Sequence, residues 1–265
     1  MPFERMERMR TSGGITYYVC GKGDQAVLCH PSLGLGRFLF HRMVPALSRE
    51  FVMVTWDPRG TGDNRDFAPG MASWVGDAMD ILGEVGLPAH LLGVSLGTWV
   101  MARAAAANPA QQVLSLALIG ATPGFVGQGQ DVPDRRAQLY ATGMAQFAAE
   151  YARSTLTEYA MDEVRDNLAA ELAGTDVEKY LQAMAAIYAE SNEAVYAEVG
   201  VPTLIMVGAR DARTSPVQAE QVRQLVPHSE IKVLPRCGHL ALLDQPERVL
   251  RECRYFWRHR RAADD

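Results

Sequence analysis

Ser95 stands in the run Gly93-Val94-Ser95-Leu96-Gly97, where an apolar stretch ends and a helix-forming stretch begins. A serine with a glycine two positions away on each side suits nucleophilic attack from a very tight strand–turn–helix junction. Side chains at the two glycine positions would collide with neighbouring strands and with the helix. The turn lifts the hydroxyl clear of the sheet. It also aims the first N–H groups of the helix at the place where negative charge develops on an attacked carbonyl.

A serine hydroxyl alone is a weak nucleophile and needs a base, itself oriented by an acid. Three histidines follow Ser95: His228 in a polar turn, His259 in a charged tail, and His239 in Arg236-Cys237-Gly238-His239. His239 falls between the last expected strand and the last helix, at the carboxyl end of the sheet, where parallel α/β sheets assemble their sites. It is the expected general base. Asp211 directly follows the apolar run 203–207 and is the expected acid, giving the chain order serine, acid, histidine. Asp244 competes, but it comes after His239 and is expected to open the final helix.

An oxyanion site needs a second backbone donor, from the loop after an early strand. His30-Pro31-Ser32-Leu33-Gly34-Leu35-Gly36 is such a loop. The expected donors are the N–H of Ser32, with Leu33 the alternative, and the N–H of Leu96. His30 is expected to support the loop structurally. Asp57 and Arg59, in Asp57-Pro58-Arg59-Gly60-Thr61-Gly62, are expected to make structural hydrogen bonds at the sheet's edge. Neither glycine pair, Gly34/Gly36 or Gly60/Gly62, has the third glycine of a dinucleotide site. No P-loop and no histidine pair with metal-ligand spacing is present, so neither a cofactor nor a metal is expected.

These residues need a scaffold. Short apolar runs at 15–19, 26–29, 51–56, 89–92, 114–119, 203–207 and 231–234 read as strands, the first of them an edge strand. Helical patterns at 71–84, 96–108, 216–225 and 247–259 alternate with them. That alternation implies βαβ units and a mostly parallel sheet covered on both faces. From 124 to 199 the rhythm breaks into Ala-, Glu- and Met-rich helical stretches, notably 135–155 and 178–190. Gly127, Gly129 and Pro133 mark the entrance and Gly200 and Pro202 the return. The expected organisation is a core over 1–123 and 200–265 with a helical cap at 124–199.

The chain has 265 residues, 48% hydrophobic and 22% charged, long enough to bury a substantial core. A net charge of −5 gives no reason to expect a nucleic-acid partner. The first ten residues carry charges and no apolar run, so no secretory signal is expected, and no stretch suits a bilayer. Cys20, Cys29, Cys237 and Cys253 have no paired spacing and read as reduced thiols of a cytoplasmic protein. Cys237, two residues before His239, reads as a small filler in a loop.

With these motifs in order, residues 14–257 resemble the α/β-hydrolase superfamily. Within it the pattern is most similar to 3-oxoadipate enol-lactonase-like hydrolases. Pro31-Ser32-Leu33-Gly34 resembles their Asn-Ser-Leu-Gly loop, and the stretches around Gly143-Met144-Ala145 and 180–187 resemble their cap. The resemblance implies cofactor-free opening of small esters or lactones. Two places depart from that pattern: Thr98-Trp99 replaces a second glycine after the serine turn, and Gly60-Thr61-Gly62-Asp63-Asn64 replaces Gly-x-Gly-x-Ser.

The expected substrate-binding set is Trp99 with the cap residues Tyr140, Met144, Phe147 and Tyr188. A serine at the turn argues against the alkyl-carbon chemistry of haloalkane dehalogenases and epoxide hydrolases, which attack through a carboxylate. Two alternatives stay open: the same triad used for C–C hydrolysis, perhydrolysis, thioester cleavage or a lyase step, and a hydrolase-fold protein that only binds a small molecule. The expected partner is a small molecule, with no nucleic acid or membrane; a homo-oligomer is open.

Overall fold

The computed structural model describes residues 6–108, 111–125 and 131–259. Gly127, Gly129 and the last six residues of the chain lie outside that range. In chain order the elements are β1 (Glu7–Arg10), β2 (Thr16–Gly21), β3 (Ala26–His30), α1 (Met43–Leu47), β4 (Val52–Trp56), α2 (Met71–Val85), β5 (Ala89–Val94) and α3 (Leu96–Ala107). They continue as β6 (Val113–Ile119), α4 (Asp131–Thr155), α5 (Asp162–Ala173), α6 (Val177–Tyr188), α7 (Glu193–Glu198), β7 (Thr203–Gly208), α8 (Pro216–Leu225), β8 (Ser229–Leu234), α9 (Ala241–Asp244) and α10 (Pro246–His259).

The strands form one eight-stranded sheet in the order β1-β2-β4-β3-β5-β6-β7-β8. β1 and β2 run antiparallel to their neighbours, and the pairs from β4 through β8 are parallel. Alternate residues of the central strands enter two separate cores, as the two-residue period of a strand demands. Val27, Cys29, Leu92, Val94, Leu204 and Met206 pack on one face with α1 and α10. Ala26, Leu28, Leu91, Leu116, Ile205 and Val207 pack on the other with α2, α3 and α8. This double cover explains why these strands read as unbroken apolar runs.

The helices follow their sequence patterns. α2 buries Met71, Trp74, Ala78, Ile81 and Leu82, spaced three and four apart. It ends at Gly86, whose φ of 66° stops the helix in a left-handed cap. α8 opens on a capping box: the Ser215 side chain accepts from the Gln218 N–H, with Pro216 in the first turn.

One expectation is corrected. β2 is not an edge strand, because β1 pairs along it from Glu7↔Val19 to Arg10↔Thr16. Every residue of β1 is exposed and three of the four are charged, so it lacks the apolar signal of a buried strand. Charged side chains on the outermost strand discourage a further chain from pairing there.

The expected structural bonds of Asp57 and Arg59 are present, but not to each other. Asp57 accepts from Arg37 N at 2.8 Å, Arg37 Nη1 at 2.6 Å and Asp63 N at 3.1 Å. Arg59 grips Asp77 of α2 with Nε at 2.7 Å and Nη2 at 2.8 Å. Burial raises the Asp77 carboxyl above its usual range even against this partner. Removing one member of such a pair strands the other charge in the interior. Arg59→Ala should therefore cost about 3 kcal/mol in urea unfolding. Replacing both residues with apolar ones should cost less than Arg59→Ala alone.

Candidate active site

β5 delivers Ser95 at the carboxyl end of the sheet, in the strained conformation φ 53°, ψ −113°. The two flanking glycines are required by contact distance. A Cβ at Gly93 would lie 2.2 Å from the Gly97 carbonyl oxygen, and one at Gly97 would lie 2.2 Å from that of His30. The Ser95 N–H donates to the Ile119 carbonyl at 2.8 Å, tying the turn to β6.

The loops after β7 and β8 bring the other two residues to the serine. His239 Nε2 lies 2.9 Å from Ser95 Oγ, and His239 Nδ1 lies 2.9 Å from Asp211 Oδ2. His239 and Asp211 are both 4% exposed, so bulk water competes little for these bonds. Burial pushes the Asp211 carboxyl upward, but the His239 ring and the Thr214 N–H and hydroxyl outweigh it and hold the group below its usual range. Asp211 Oδ1 accepts from the N–H groups of Arg213 (2.8 Å) and Thr214 (2.9 Å), and Oδ2 also accepts from Thr214 Oγ1 at 2.8 Å. The carboxylate is fixed in plane and position, which in turn fixes the imidazole.

Thr214 was not among the sequence-expected site residues. The signal was present, since an aspartate whose backbone N–H partners come two and three residues later is a common turn pattern. Asp244, the competing acid, sits elsewhere. Its Oδ1 accepts from Thr157 N and Oγ1 at 2.8 and 3.0 Å, and its Oδ2 accepts from Gly238 N at 2.6 Å. It braces the His239 loop against the end of α4, and the His239 N–H donates to the Thr155 carbonyl there at 3.2 Å.

The loop after β3 lies beside the serine turn, and Ser32, Leu33 and Leu96 line the same cavity as Ser95 and His239. Leu96 begins the twelve-residue α3, so its N–H belongs to the first turn and is free of the helix's own ladder. His30 is fully buried, its Nδ1 is 2.9 Å from the Pro31 carbonyl, and its ring meets Trp56 edge-on at 5.3 Å. Burial lowers its pKa to about 4, so it stays neutral across the ordinary range. Cys237 is buried and unpaired, as are Cys29 and Cys253.

The cavity has a volume of about 350 Å³ and is walled by side chains from α3, α4, α6 and the 211–214 loop. Of the expected substrate-binding residues, Trp99 and Tyr188 line it. Trp99 is held by an indole N–H bond of 2.9 Å to the Thr122 carbonyl.

The other three do not line it. Tyr140 is 65% exposed and its hydroxyl donates to Glu178 Oε1 at 2.6 Å. Met144 and Phe147 are buried in the apolar core instead of facing the cavity, and the Phe147 ring packs 5.4 Å from that of Tyr180. In a straight helix residues 140, 144 and 147 would share one stripe. Gly143, at φ 80° and ψ 158°, breaks α4 between the first and the other two.

The cavity's polar lining goes beyond the expected set. Tyr151, Tyr180, Arg135 and Arg213 reach it together with Tyr188. Burial raises all three phenols above their usual range. The Arg213 guanidinium stacks 4.5 Å from the Tyr151 ring centre. Among the described residues no group of histidine, cysteine and carboxylate side chains is placed to hold a metal ion, and no helix is long and apolar enough to cross a membrane.

A parallel sheet with antiparallel strands at one edge, carrying Ser95, Asp211 and His239 on the loops after β5, β7 and β8, defines a class of hydrolase. The chain belongs to the alpha/beta hydrolase family, whose model matches residues 26–252. It is 27% identical over 239 residues to 3-oxoadipate enol-lactonase 1 of Acinetobacter baylyi, covering 85% of each chain. Solved structures share the fold. A thermophilic esterase from Thermogutta terrifontis superposes with a TM-score of 0.86 at 21% identity, covering 97% of this chain and 100% of that one. A bromoperoxidase from Bacillus anthracis superposes with a TM-score of 0.84 at 17% identity, covering 95% and 100%. One fold thus carries proteins named for different reactions, and the chemistry lies in the site.

Proposed function

We propose that this protein is a cofactor-free serine hydrolase that cleaves a small carboxylic ester or lactone through an acyl-serine intermediate. The observation that carries this reading is the continuous hydrogen-bonded row Ser95–His239–Asp211, with both links at 2.9 Å, opening on a cavity of about 350 Å³. The likeness to an enol-lactonase over most of the chain supports the same class of substrate.

In this mechanism His239 Nε2 takes the proton from Ser95 Oγ as the oxygen attacks the carbonyl carbon. The N–H groups of Ser32 and Leu96 receive the oxyanion, an interaction worth several kcal/mol when the donors are prearranged. The dipole of α3 points its positive end at the same place. The imidazolium then protonates the leaving alcohol, or the ring oxygen of a lactone, and Asp211 stabilises the transient charge. Water, deprotonated by the same histidine, releases the acid and restores the serine. Helices α4–α7 act as a cap whose inner side chains limit the acyl group to a small one.

The test is turnover of p-nitrophenyl acetate followed by rapid mixing and mass spectrometry. The expected result is a burst of p-nitrophenol stoichiometric with enzyme and an acetyl group on the peptide containing Ser95. Steady turnover with no trapped acyl group at any pH, or acylation elsewhere, overturns the acyl-serine route.

A further inference from the structure

The 32–36 loop is held from two sides, and one of them is the helical insertion. On the core side, Leu35 N donates to the Ser32 carbonyl at 3.1 Å, and Arg37 N donates to Asp57 Oδ1 at 2.8 Å. From the insertion, Glu171 near the end of α5 accepts the Gly36 N–H on Oε1 at 2.9 Å. The Thr175 hydroxyl, just beyond the same helix, donates to the Gly34 carbonyl at 3.0 Å. The insertion touches the loop most closely at Gly34, where a Cβ would lie 2.8 Å from Tyr180 and 2.9 Å from Leu172; at Gly36 a Cβ would meet Asp57 Oδ1 of the core side at 2.2 Å, with Glu171 Oε1 farther off at 3.1 Å.

Glu171 occupies this place at a cost. Its Oε2 is buried without a hydrogen-bond partner. Burial, with Asp57 close by, pushes the carboxyl up to about 7, while the Gly36 N–H, Arg37 and the Phe38 N–H pull it down. Lys179 and Asp176, at the start of α6, and Arg65 and Asp66, from the loop after β4, line the cavity beside it. A buried carboxyl kept in such surroundings, with one oxygen spent on a backbone N–H 135 residues away in sequence, has a use in holding that backbone.

We infer that Glu171 is a positioning residue that fixes the 32–36 loop, and through it the aim of the Ser32 N–H at the carbonyl attacked by Ser95. This rests on the serine-hydrolase reading above. It adds that the insertion does more than roof the cavity: its α5 end, clipped to the loop at Gly34 and Gly36, completes the oxyanion site. A donor misplaced by a fraction of an ångström stabilises the transition state less while leaving substrate binding nearly unchanged.

The experiment compares Glu171→Ala, Glu171→Gln and Thr175→Val with the wild type, reading kcat and KM on p-nitrophenyl acetate. Amide exchange of the peptide spanning residues 30–40 is followed in the same proteins. Glu171→Ala should lower kcat about tenfold with KM within about twofold, since total loss of one oxyanion donor costs roughly a hundredfold or more. Its 30–40 peptide should exchange faster while β5 and β6 peptides stay unchanged. Glu171→Gln, whose amide oxygen still accepts the Gly36 N–H, should recover most of kcat. Thr175→Val should shift both readouts in the same direction by less, and it serves if Glu171→Ala does not fold. A folded Glu171→Ala with wild-type kcat and exchange overturns the inference, as does a Glu171→Gln as impaired as the alanine variant. If the wild type itself fails to turn over, the hydrolase reading fails, and the exchange data still decide whether Glu171 holds the loop.

Discussion

Ser95→Ala should lower kcat on p-nitrophenyl acetate on the order of a millionfold, to a residual rate set by the remaining donors and binding. The size follows from the arrangement: with the hydroxyl gone, His239 Nε2 loses its 2.9 Å partner and no other nucleophile occupies its place. The variant should fold normally, because alanine keeps the Cβ in the same strained turn, at φ 53° and ψ −113°. Ser95→Gly separates strain from chemistry. A non-glycine residue held there costs of order 1–3 kcal/mol, against roughly 0.5–1 kcal/mol of extra chain entropy for glycine. Ser95→Gly should therefore melt at or above the wild-type temperature while being equally inactive. A kcat reduced only tenfold in Ser95→Ala would place the nucleophile elsewhere.

Asp211→Asn should cost on the order of ten-thousandfold in kcat with little change in folding. The reason lies in the hydrogen bonds around the side chain. Oδ1 is claimed by two backbone N–H groups, those of Arg213 and Thr214, so an asparagine must place its carbonyl oxygen there. Its NH2 group then faces His239 Nδ1 across the 2.9 Å gap that a carboxylate oxygen now fills. The imidazole responds by accepting at Nδ1 and carrying its proton on Nε2, where it can no longer accept from Ser95. Because the Asp211 carboxyl is held below its usual range, the wild-type residue stays ionised throughout the neutral and mildly acidic range. Loss of activity in Asp211→Asn should therefore persist at every pH from 5 to 8. A partial recovery of rate at high pH, where hydroxide can take the serine's proton directly, fits the same account. Activity within tenfold of wild type at pH 7 would remove Asp211 from its assigned role.

The β/α alternation and the serine turn were legible in the sequence for local reasons. Buried strands such as β3 and β7 are continuous apolar runs because both faces are covered, and that pattern needs no knowledge of the rest of the chain. Gly93 and Gly97 were readable because a tight turn makes its own steric demand. Ser95, Asp211 and His239 could be selected because each follows a strand at the carboxyl end of the sheet, so their convergence followed from the topology. β1 was not legible, since its charged residues carry no burial signal and what makes it a strand is its pairing with β2.

The tertiary structure decided matters that depend on residues distant in sequence. Gly143 breaks α4, so the direction of Tyr140 could not be extrapolated from helical periodicity. The polar lining of the cavity comes from α4, α6 and the 211–214 loop together, and no one segment announces it. Asp244 looked like a second candidate acid until its partners, Thr157 and Gly238, were known. Glu171 was one acidic residue among many in a helical stretch, and only packing placed it against Gly36. The sequence by itself determined the alternation of elements and the turn that carries the nucleophile, because periodicity and steric demand are local. What surrounds that nucleophile was decided by contacts across 87 to 144 residues of chain, where burial and hydrogen bonding assign roles that composition leaves open.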